Sequence, residues 1–426
     1  MAESNSKNKK NKGSEKPQNP GKGSGGGTSA WGDVIRNSVD TQRLFVSAGS
    51  VGLLGLAASA VLGMGDFKRF QYSYLVAFMW VLSIGLGGVW WVTLQHLVNA
   101  KWSIVVRRIG ELIAANAGLL AILSLPIVIP ALLGNSDLYL WVDHNRMAED
   151  HALHHKSAYL NVPFFAIRVA VYFAFWVLLS QHLLKSSLKQ DEASSDTQSR
   201  RLRRLAGPAM MGVAVTLTFA AIDFLMSLNP LWFSTIFGIY YLAGCVLAIH
   251  ASLALTLLWL QKRGTLVKTV SQEHFHDIGK MMFAFTIFWA YIAFSQFMLI
   301  WYANIPEETH WYLLRVENGW LSVTWFQLIG HFVMPFAFLL SRHVKRHRTG
   351  IALGALWVLF VHYVDMYWLV MPTTFVQGPE LHLLDLSCWI GLTGVFIAAV
   401  AYRARKVNLV PVGDPRLETS LAFENV

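Results

Sequence analysis

The chain contains only two cysteines, Cys245 and Cys388, and both lie inside apolar segments. Two isolated thiols cannot supply a CxxC cluster site, a CxxCH haem attachment or a disulfide framework. Any redox centre that needs several thiolate ligands must therefore belong to another chain.

Charged residues are also scarce. Asp, Glu, Lys and Arg make up 14% of the 426 residues, whereas soluble domains carry about a quarter. Hydrophobic residues make up 54%, and the many Trp and Phe residues fit the aromatic belts of a membrane protein. The net charge of +10 does not indicate nucleic-acid binding, because the basic residues lie in alternate loops between apolar runs. The composition predicts an integral membrane protein.

Ten apolar runs are long enough to cross a bilayer, whose core of about 30 Å needs roughly 20 helical residues. They are residues 44–64, 72–98, 110–133, 162–182, 207–228, 232–260, 278–303, 319–341, 350–371 and 383–402. We therefore predict an all-α polytopic protein with a ten-helix transmembrane domain at residues 44–402. Residues 1–43 are predicted to form a disordered basic tail without a removable signal peptide, and residues 403–426 a C-terminal tail.

The loops predict the orientation of the chain. Basic residues follow the second, fourth, sixth, eighth and tenth runs, as at Lys101, Arg203, Lys262, Lys345 and Arg405. The opposite loops are acidic or nearly uncharged, apart from one short basic turn at residues 68–69. Because positively charged loops stay in the cytoplasm, both termini are predicted to be cytoplasmic.

Ionisable residues inside the apolar runs are candidates for function, since they are costly in a bilayer. They fall into three sets by depth: an outer set of Arg168, Asp223 and Asp365, a central set of His331 and His362, and an inner set of Glu111 and His250. This division is what two proton half-channels meeting at mid-membrane would require.

Each set also has a structural interpretation. Arg168 and Asp223 form either an ion pair that closes the bundle or part of a site for proton or quinone chemistry. His362 and Asp365 share a helix face, as a proton relay requires, although satisfied interhelical hydrogen bonds need the same arrangement. Glu111, with neighbouring basic residues, forms either an inner half-channel or a structural cluster.

One outer loop is rich in histidine. It holds His144, His151, His154 and His155, and the second and fourth have the i, i+4 spacing of a helical metal pair. No second constrained ligand pair accompanies them, so we predict no metal site and expect this loop to dock a periplasmic partner.

Six stretches stand out beyond these patterns. They are residues 222–238 (IDFLMSLNPLWFSTIFG), 276–280 (HDIGK), 301–308 (WYANIPEE), 361–368 (VHYVDMYW), 102–111 and 413–416 (GDPR). They resemble the NrfD-like (polysulfide-reductase membrane-subunit) superfamily, and most closely the ActF membrane subunits of bacterial alternative complex III. The resemblance runs from the first apolar run to the C-terminal tail.

This resemblance implies paired helix bundles and a place in the bacterial inner membrane, in a respiratory quinol:electron-acceptor oxidoreductase. The complex would contain quinol, iron–sulfur clusters and haem c, and electrons would pass to cytochrome c or a terminal oxidase. Partners would be a sibling NrfD-like subunit, an iron–sulfur subunit and haem c subunits. The resemblance assigns the quinol pocket to the sibling and polar proton paths to this type of subunit, which would bind no cofactor and have no activity alone.

Two other functions fit parts of the sequence. A cytochrome b-type anchor could ligate haem through His250, His331 or His362 on facing helices. A secondary transporter would bind its substrate at the midplane between broken helices, but paired Gly/Pro interruptions in two halves are missing from the sequence.

Overall fold

The computed structural model describes residues 38–193 and 196–425 as helices joined by turns and short loops. In these ranges, ten helices are long and apolar enough to cross a membrane. The prediction of an all-α multi-pass membrane protein is confirmed in this coarse form. The tail predicted for residues 1–43 falls mainly on residues 1–37, which lie outside the described residues.

We number the ten spans in chain order. They are α1 (Ser38–Gly63), α2 (Phe67–Leu97), α3 (Ile104–Leu132), α4 (Val162–Ala193), α5 (Asp196–Phe224), α6 (Phe237–Lys262), α7 (Gln272–Ala303), α8 (Trp320–Leu340), α9 (Arg348–Val370) and α10 (Leu383–Ala404). Short helices lie in the connections, at Leu140–Val142, His144–Glu149, His151–His155, Met226–Leu228, Pro306–Leu313, Arg342–Arg346, Met371–Thr373 and Leu417–Leu421.

Several helices extend beyond the apolar runs. Helix α4 continues to Ala193 and α5 begins at Asp196, so most of the predicted basic loop between them is helical. Helix α1 likewise begins at Ser38, six residues before the predicted run. Hydropathy locates the part of a helix that meets lipid, whereas the hydrogen-bonded helix also includes its polar ends.

Helices α2 and α6 form the centre of the fold. In the most apolar stretch of α2, 94% of the residues are buried, against 17% in α1. Helix α2 packs against α3, α5, α6, α9 and α10, while α6 packs against α5, α7 and α9. Helices α2–α5 and α6–α9 thus form two groups that meet along α2 and α6.

Two spans are interrupted. Helix α3 consists of Ile104–Ala114, Ala117–Leu123 and Leu125–Leu132, and the last piece has a proline in its first turn. Helix α8 widens into a π-helix at Gln327–Val333, directly before Pro335. Proline has no N–H to donate to the preceding turn, so the regular helical hydrogen bonding fails next to it.

Helix α1 packs almost entirely on α10 through small residues. A Cβ added at Gly52 would lie 2.5 Å from the backbone nitrogen of Val395, and one added at Gly391 would lie 2.8 Å from that of Leu56. Ser59 donates a hydrogen bond to Ser387 across the same contact, at 2.9 Å. Because lipid is as apolar as leucine, close backbone packing is what holds such a peripheral helix in place.

We predict that Gly52→Ala destabilises the protein by about 1–3 kcal/mol, because the added methyl overlaps the α10 backbone. The midpoint of thermal unfolding in detergent measures the effect. Gly207→Ala in α5 is the matched control, since nothing lies within 4 Å of the Cβ added there and alanine favours the helix. Equal midpoints for the two variants would contradict the close contact of α1 with α10.

Candidate functional site

Arg168 and Asp223 form the buried ion pair that their depths predict. The Arg168 guanidinium donates two hydrogen bonds to the Asp223 carboxylate, at 2.9 and 2.8 Å. Tyr172 donates a third at 2.8 Å, and Arg168 also donates to the carbonyl of Tyr159 at 2.8 Å. The pair therefore has the complete set of partners that a buried salt bridge between α4 and α5 needs. A role in proton or quinone chemistry stays a prediction.

A second cluster lies where α6, α8 and α9 meet. Asp365 on α9 accepts a hydrogen bond of 2.5 Å from Tyr240 on α6 and a longer one of 3.4 Å from Gln327 on α8. Its other carboxylate oxygen lies 4.0 Å from Nδ1 of His362, one turn away on α9. Unlike Asp223, Asp365 has no Lys or Arg within 4.0 Å among the described residues.

The two central histidines complete this cluster. Nε2 of His362 lies 2.8 Å from the Ser83 hydroxyl on α2, and the His362 ring packs so closely on α6 that only a glycine fits at position 244. His331 on α8 stacks on Trp289 at 3.8 Å between ring centroids, and its own centroid lies 6.2 Å from that of His362. All three predicted residues, His331, His362 and Asp365, therefore belong to one site, which we call the central cluster with Tyr240, Gln327 and Ser83.

The central cluster is rich in polar atoms that have no protein partner. Within residues 38–193 and 196–425, both ring nitrogens of His331, Nδ1 of His362 and Oε1 of Gln327 make no hydrogen bond. His331, His362 and Asp365 are each 0% exposed. Unpaired buried polar atoms are costly and rare in native proteins, so such a concentration indicates a site with a task other than packing.

The π-helix explains how α8 reaches the cluster. It begins at Gln327, contains His331, and ends just before Pro335. The indole N–H of Trp357 on α9 donates to the carbonyl of Gly330 at 2.7 Å, which satisfies one backbone oxygen of the widened turn. Single π-helical turns inside membrane helices often lie at functional sites, since they rotate side chains away from the regular helical positions.

Arg315 lies beside this cluster, close to Tyr240, and sequence reasoning missed it. The residue sits in the α7–α8 connection, is 0% exposed, and donates to the carbonyls of Trp311 and Leu369 at 2.7 and 2.8 Å. No carboxylate lies within 4.0 Å of it among the described residues. Burial lowers the pKa of Arg315 to about 9, although the nearby Tyr312 and Tyr240 act in the opposite direction. A loop position in the sequence carries no signal of this burial.

Glu111 lies in a different environment, on the opposite side of the bundle. Its two carboxylate oxygens accept hydrogen bonds from Arg107 at 3.2 Å and from Arg108 at 3.0 Å. Arg107 also pairs with Asp414 at 2.8 Å, and Arg108 pairs with Asp191 at the end of α4 at 3.0 Å. Three acids thus surround two arginines, and we call this group the inner ion network.

The C-terminal tail is part of the inner ion network. Asp414 also pairs with Arg416, at 3.0 Å, and a side chain at position 413 would collide with the carbonyl of Gln190. Burial alone would raise the pKa of Asp414, but the hydrogen bonds and charges of Arg416 and Arg107 outweigh it and lower this pKa to about 2. The network therefore fastens the GDPR motif to α3 and α4, which favours the structural interpretation of Glu111.

His250, the other residue of the predicted inner set, makes no hydrogen bond or ion pair with this network among the described residues. Its Nδ1 lies 2.7 Å from the carbonyl oxygen of Val246, one turn earlier on α6, and its ring packs between Trp91 and Phe285. Nε2 of His250 has no hydrogen-bond partner among the described residues. A role for His250 in an inner proton path stays a prediction.

The described residues offer few ligands for a metal ion or a haem. In the part of the chain that the structure describes, no group of three or more His, Cys, Asp or Glu residues could hold a metal ion. The rings of His151 and His155 lie 4.6 Å apart, without a third ligand. For haem, Nε2 of His362 is bonded to Ser83, whereas both ring nitrogens of His331 and Nε2 of His250 have no hydrogen-bond partner among the described residues. The cytochrome b alternative therefore depends on His331 and His250, and absorption spectroscopy tests it.

No family model and no curated protein matches the chain. The geometry of the described residues and the sequence motifs therefore carry the functional argument.

We predict that Asp414→Asn lowers the free energy of unfolding by about 3 kcal/mol, because it leaves Arg107 and Arg416 short of a buried anionic partner. The pKa of Asp414 is about 2 in the folded protein, against an ordinary value of 3.8. The stabilising contribution is therefore present above about pH 4 and is lost as the pH falls through about 2. Thermal unfolding of both proteins between these pH values measures it.

The control for this prediction is Asp143→Asn, because Asp143 pairs with Arg146 at 3.6 Å on an exposed loop. Exposed pairs contribute about 0–1 kcal/mol, so this variant should unfold close to the wild type. A difference between wild type and Asp414→Asn that did not shrink towards pH 2 would contradict the role of the Asp414 carboxylate.

We also predict that the purified chain shows no Soret absorption band, since the family that the six sequence stretches resemble places no cofactor in this type of subunit. Absorption spectroscopy of the chain separated from its partners tests this. A bis-histidine haem b spectrum that is lost in His331→Ala or His362→Ala would support the cytochrome b alternative instead. His154→Ala, on the outer loop, is the control substitution.

Proposed function

We propose that the chain is a membrane subunit of a quinol:electron-acceptor oxidoreductase of the alternative complex III type, and that its central cluster passes protons. Both termini would lie in the cytoplasm of a bacterium, and the partners would be the sibling NrfD-like, iron–sulfur and haem c subunits. The six sequence stretches that resemble this family support the proposal. The two packed helix groups along α2 and α6 are consistent with its paired bundles.

The observation that carries the proton role is the central cluster itself. It places a carboxyl group, a phenol and two imidazoles within a fully buried region between α6, α8 and α9. A protonated carboxyl group, a phenol and a neutral imidazole can each donate one hydrogen bond and accept another. The 4.0 Å between Asp365 and His362 is longer than a hydrogen bond, so proton transfer between them would need a small movement of one of the two side chains.

The residues of the cluster would act in order of depth. Asp365 would exchange protons with the outer side, where Tyr240, Tyr312 and the charge of Arg315 lie nearby. His362 and His331 would carry the proton across the midplane, and Ser83 would hold the His362 ring in position. An inner path would continue through His250 or Glu111, although the bonds of Glu111 to two arginines favour a structural role for it.

The electron chemistry would reside in other subunits. Quinol oxidation and transfer through iron–sulfur clusters and haem c would take place on the partners, with cytochrome c or an oxidase as acceptor. This chain would embed the complex in the membrane and couple those electron steps to proton movement. It would not be catalytic alone.

We predict that Asp365→Asn leaves the complex assembled and slows the proton step coupled to quinol oxidation by about 100-fold, because the amide cannot take up and release a proton. The experiment first purifies the chain in mild detergent, where iron–sulfur and c-haem subunits should accompany it. Proton release or uptake per electron is then measured in reconstituted vesicles, alongside uncoupled turnover.

Asp385→Asn is the matched control, since Asp385 is a buried acid on α10 that pairs with Arg69 at 2.6 Å and lies outside the proposed path. It should affect stability but not the number of protons moved per electron. Glu111→Gln separates the two interpretations of the inner ion network: loss of coupling in an intact complex indicates a path, and loss of assembly a structural role. Recovery of the chain as an active solitary transporter would overturn the proposed function.

A further inference from the structure

A cavity of about 250 Å³ lies between α1, α2, α3, α6, α9 and α10, away from the central cluster. Its lining reaches from Thr41, Leu260 and Ala404 at the helix ends to Trp80 and Thr393 further inside. Thr393 precedes Ala404 by 11 residues on α10, which corresponds to about 16 Å along the helix axis. The cavity therefore extends over about half of a 30 Å hydrocarbon core, the depth of a single leaflet.

The walls of the cavity are apolar. They carry aliphatic and aromatic side chains with a few hydroxyls, and no charged residue lines the cavity in the described part of the chain. The indole N–H of Trp80 is already bonded to the carbonyl of Leu359 at 3.0 Å, and the Thr256 hydroxyl to that of Ser252 at 2.7 Å. Apolar cavities of about 150 Å³ or more take up apolar ligands rather than water.

Basic residues surround the helix ends at which the cavity begins. Lys262 and Arg263 lie two and three residues after Leu260 at the end of α6, and Arg405 and Lys406 follow Ala404 at the end of α10. Arg263 lies over the Trp259 ring at 5.7 Å and pairs with Asp40 at 3.6 Å, beside Thr41. Four basic side chains and one acid give this end a positive charge.

We propose that the cavity binds one acyl chain of an anionic phospholipid, whose phosphate lies among the basic residues at the ends of α6 and α10. Basic pockets between membrane helices are suited to anionic head groups, and each Lys or Arg near the membrane surface adds to the attraction. The apolar walls match the chain, the depth matches one leaflet, and the charge matches the phosphate.

A quinone fits the same cavity less well. Its ring would need hydrogen-bond donors at the inner end, where the Trp80 indole is already bonded to Leu359 and the Thr393 hydroxyl has no hydrogen-bond partner among the described residues. The basic residues lie at the opposite end, where a quinone tail would have no use for them. The arrangement of charge therefore favours a phospholipid, independently of the proposed proton path.

The test uses the full chain, with any subunits that accompany it, in nanodiscs that contain equal amounts of phosphatidylglycerol and phosphatidylcholine. Native mass spectrometry after extraction then counts the lipids retained. We expect preferential retention of phosphatidylglycerol. The double variant Lys262→Gln/Lys406→Gln should weaken that retention by about 30-fold, because two surface charges are removed. Arg203→Gln/Arg204→Gln on α5 removes the same charge elsewhere and should change nothing.

A second variant tests the cavity itself. Ala401→Phe places a ring in the space that the acyl chain would occupy, and it should abolish retention while the thermal unfolding midpoint stays near the wild-type value. Leu386→Phe, on the exposed face of α10, is its control. Equal retention of both lipids would overturn the proposal, and so would unchanged retention in Ala401→Phe. Displacement of phosphatidylglycerol by added ubiquinone from the wild type would also overturn it and identify a quinone site instead.

Discussion

The structure depends on one constraint: a polar group inside the bilayer has no bulk water to bond with, so its partner must come from the protein. Helices satisfy the backbone, and ten of them in the described chain are long and apolar enough to do so across a membrane. Every buried side-chain charge then needs a specific partner on another helix. The Arg168–Asp223 pair, the inner ion network and the central cluster differ mainly in how far they meet that requirement.

The Arg168–Asp223 pair and the inner ion network meet it almost completely. Asp223 has three donors from two neighbouring side chains, and each oxygen of Glu111 has an arginine. Removing one partner from such a group leaves a buried charge uncompensated, so these contacts join helices firmly and resist change. The inner ion network also includes a residue beyond α10, since Asp414 lies in the C-terminal tail. Both groups have the properties expected of structural joints.

The central cluster differs, because it combines full burial with incomplete pairing. Four of its side-chain nitrogen and oxygen atoms on His331, His362 and Gln327 have no hydrogen-bond partner within the described ranges, and Asp365 has no cationic partner there. A purely structural cluster would gain stability from pairing these atoms or replacing them with apolar groups. Their presence is best understood if the site must change its protonation or hydrogen bonding during function.

Sequence reasoning predicted the ten spans well, because their length and apolar composition depend on distance along the chain. The depth of each ionisable group in the bilayer stays a prediction. The pairing of Arg168 with Asp223 and the shared helix face of His362 and Asp365 follow from depth and helical spacing. Contacts that depend on the rotation of a helix or on a returning loop could not be predicted in this way. Tyr240, Arg315 and Asp414 are examples. Each contacts residues that lie far away in the sequence and come close only in the folded chain.

The interruption of α8 gives these differences a common explanation. His362 and Asp365 lie on α9, a regular helix held by α2 and α6, whereas Gln327 and His331 lie on the π-helical part of α8. Only 28% of the residues in the apolar stretch of α8 are buried, so this helix is held by few neighbours. A π-helical turn departs from the regular helical hydrogen bonding, and Gln327, which donates to Asp365, is the first residue of this one. Asp365 is thus held between two different elements: the regular helix α6, which supplies the short bond from Tyr240, and the interrupted helix α8, which supplies the longer bond from Gln327. Under the proposed function, α8 is the element that would adjust when Asp365 gains or loses a proton.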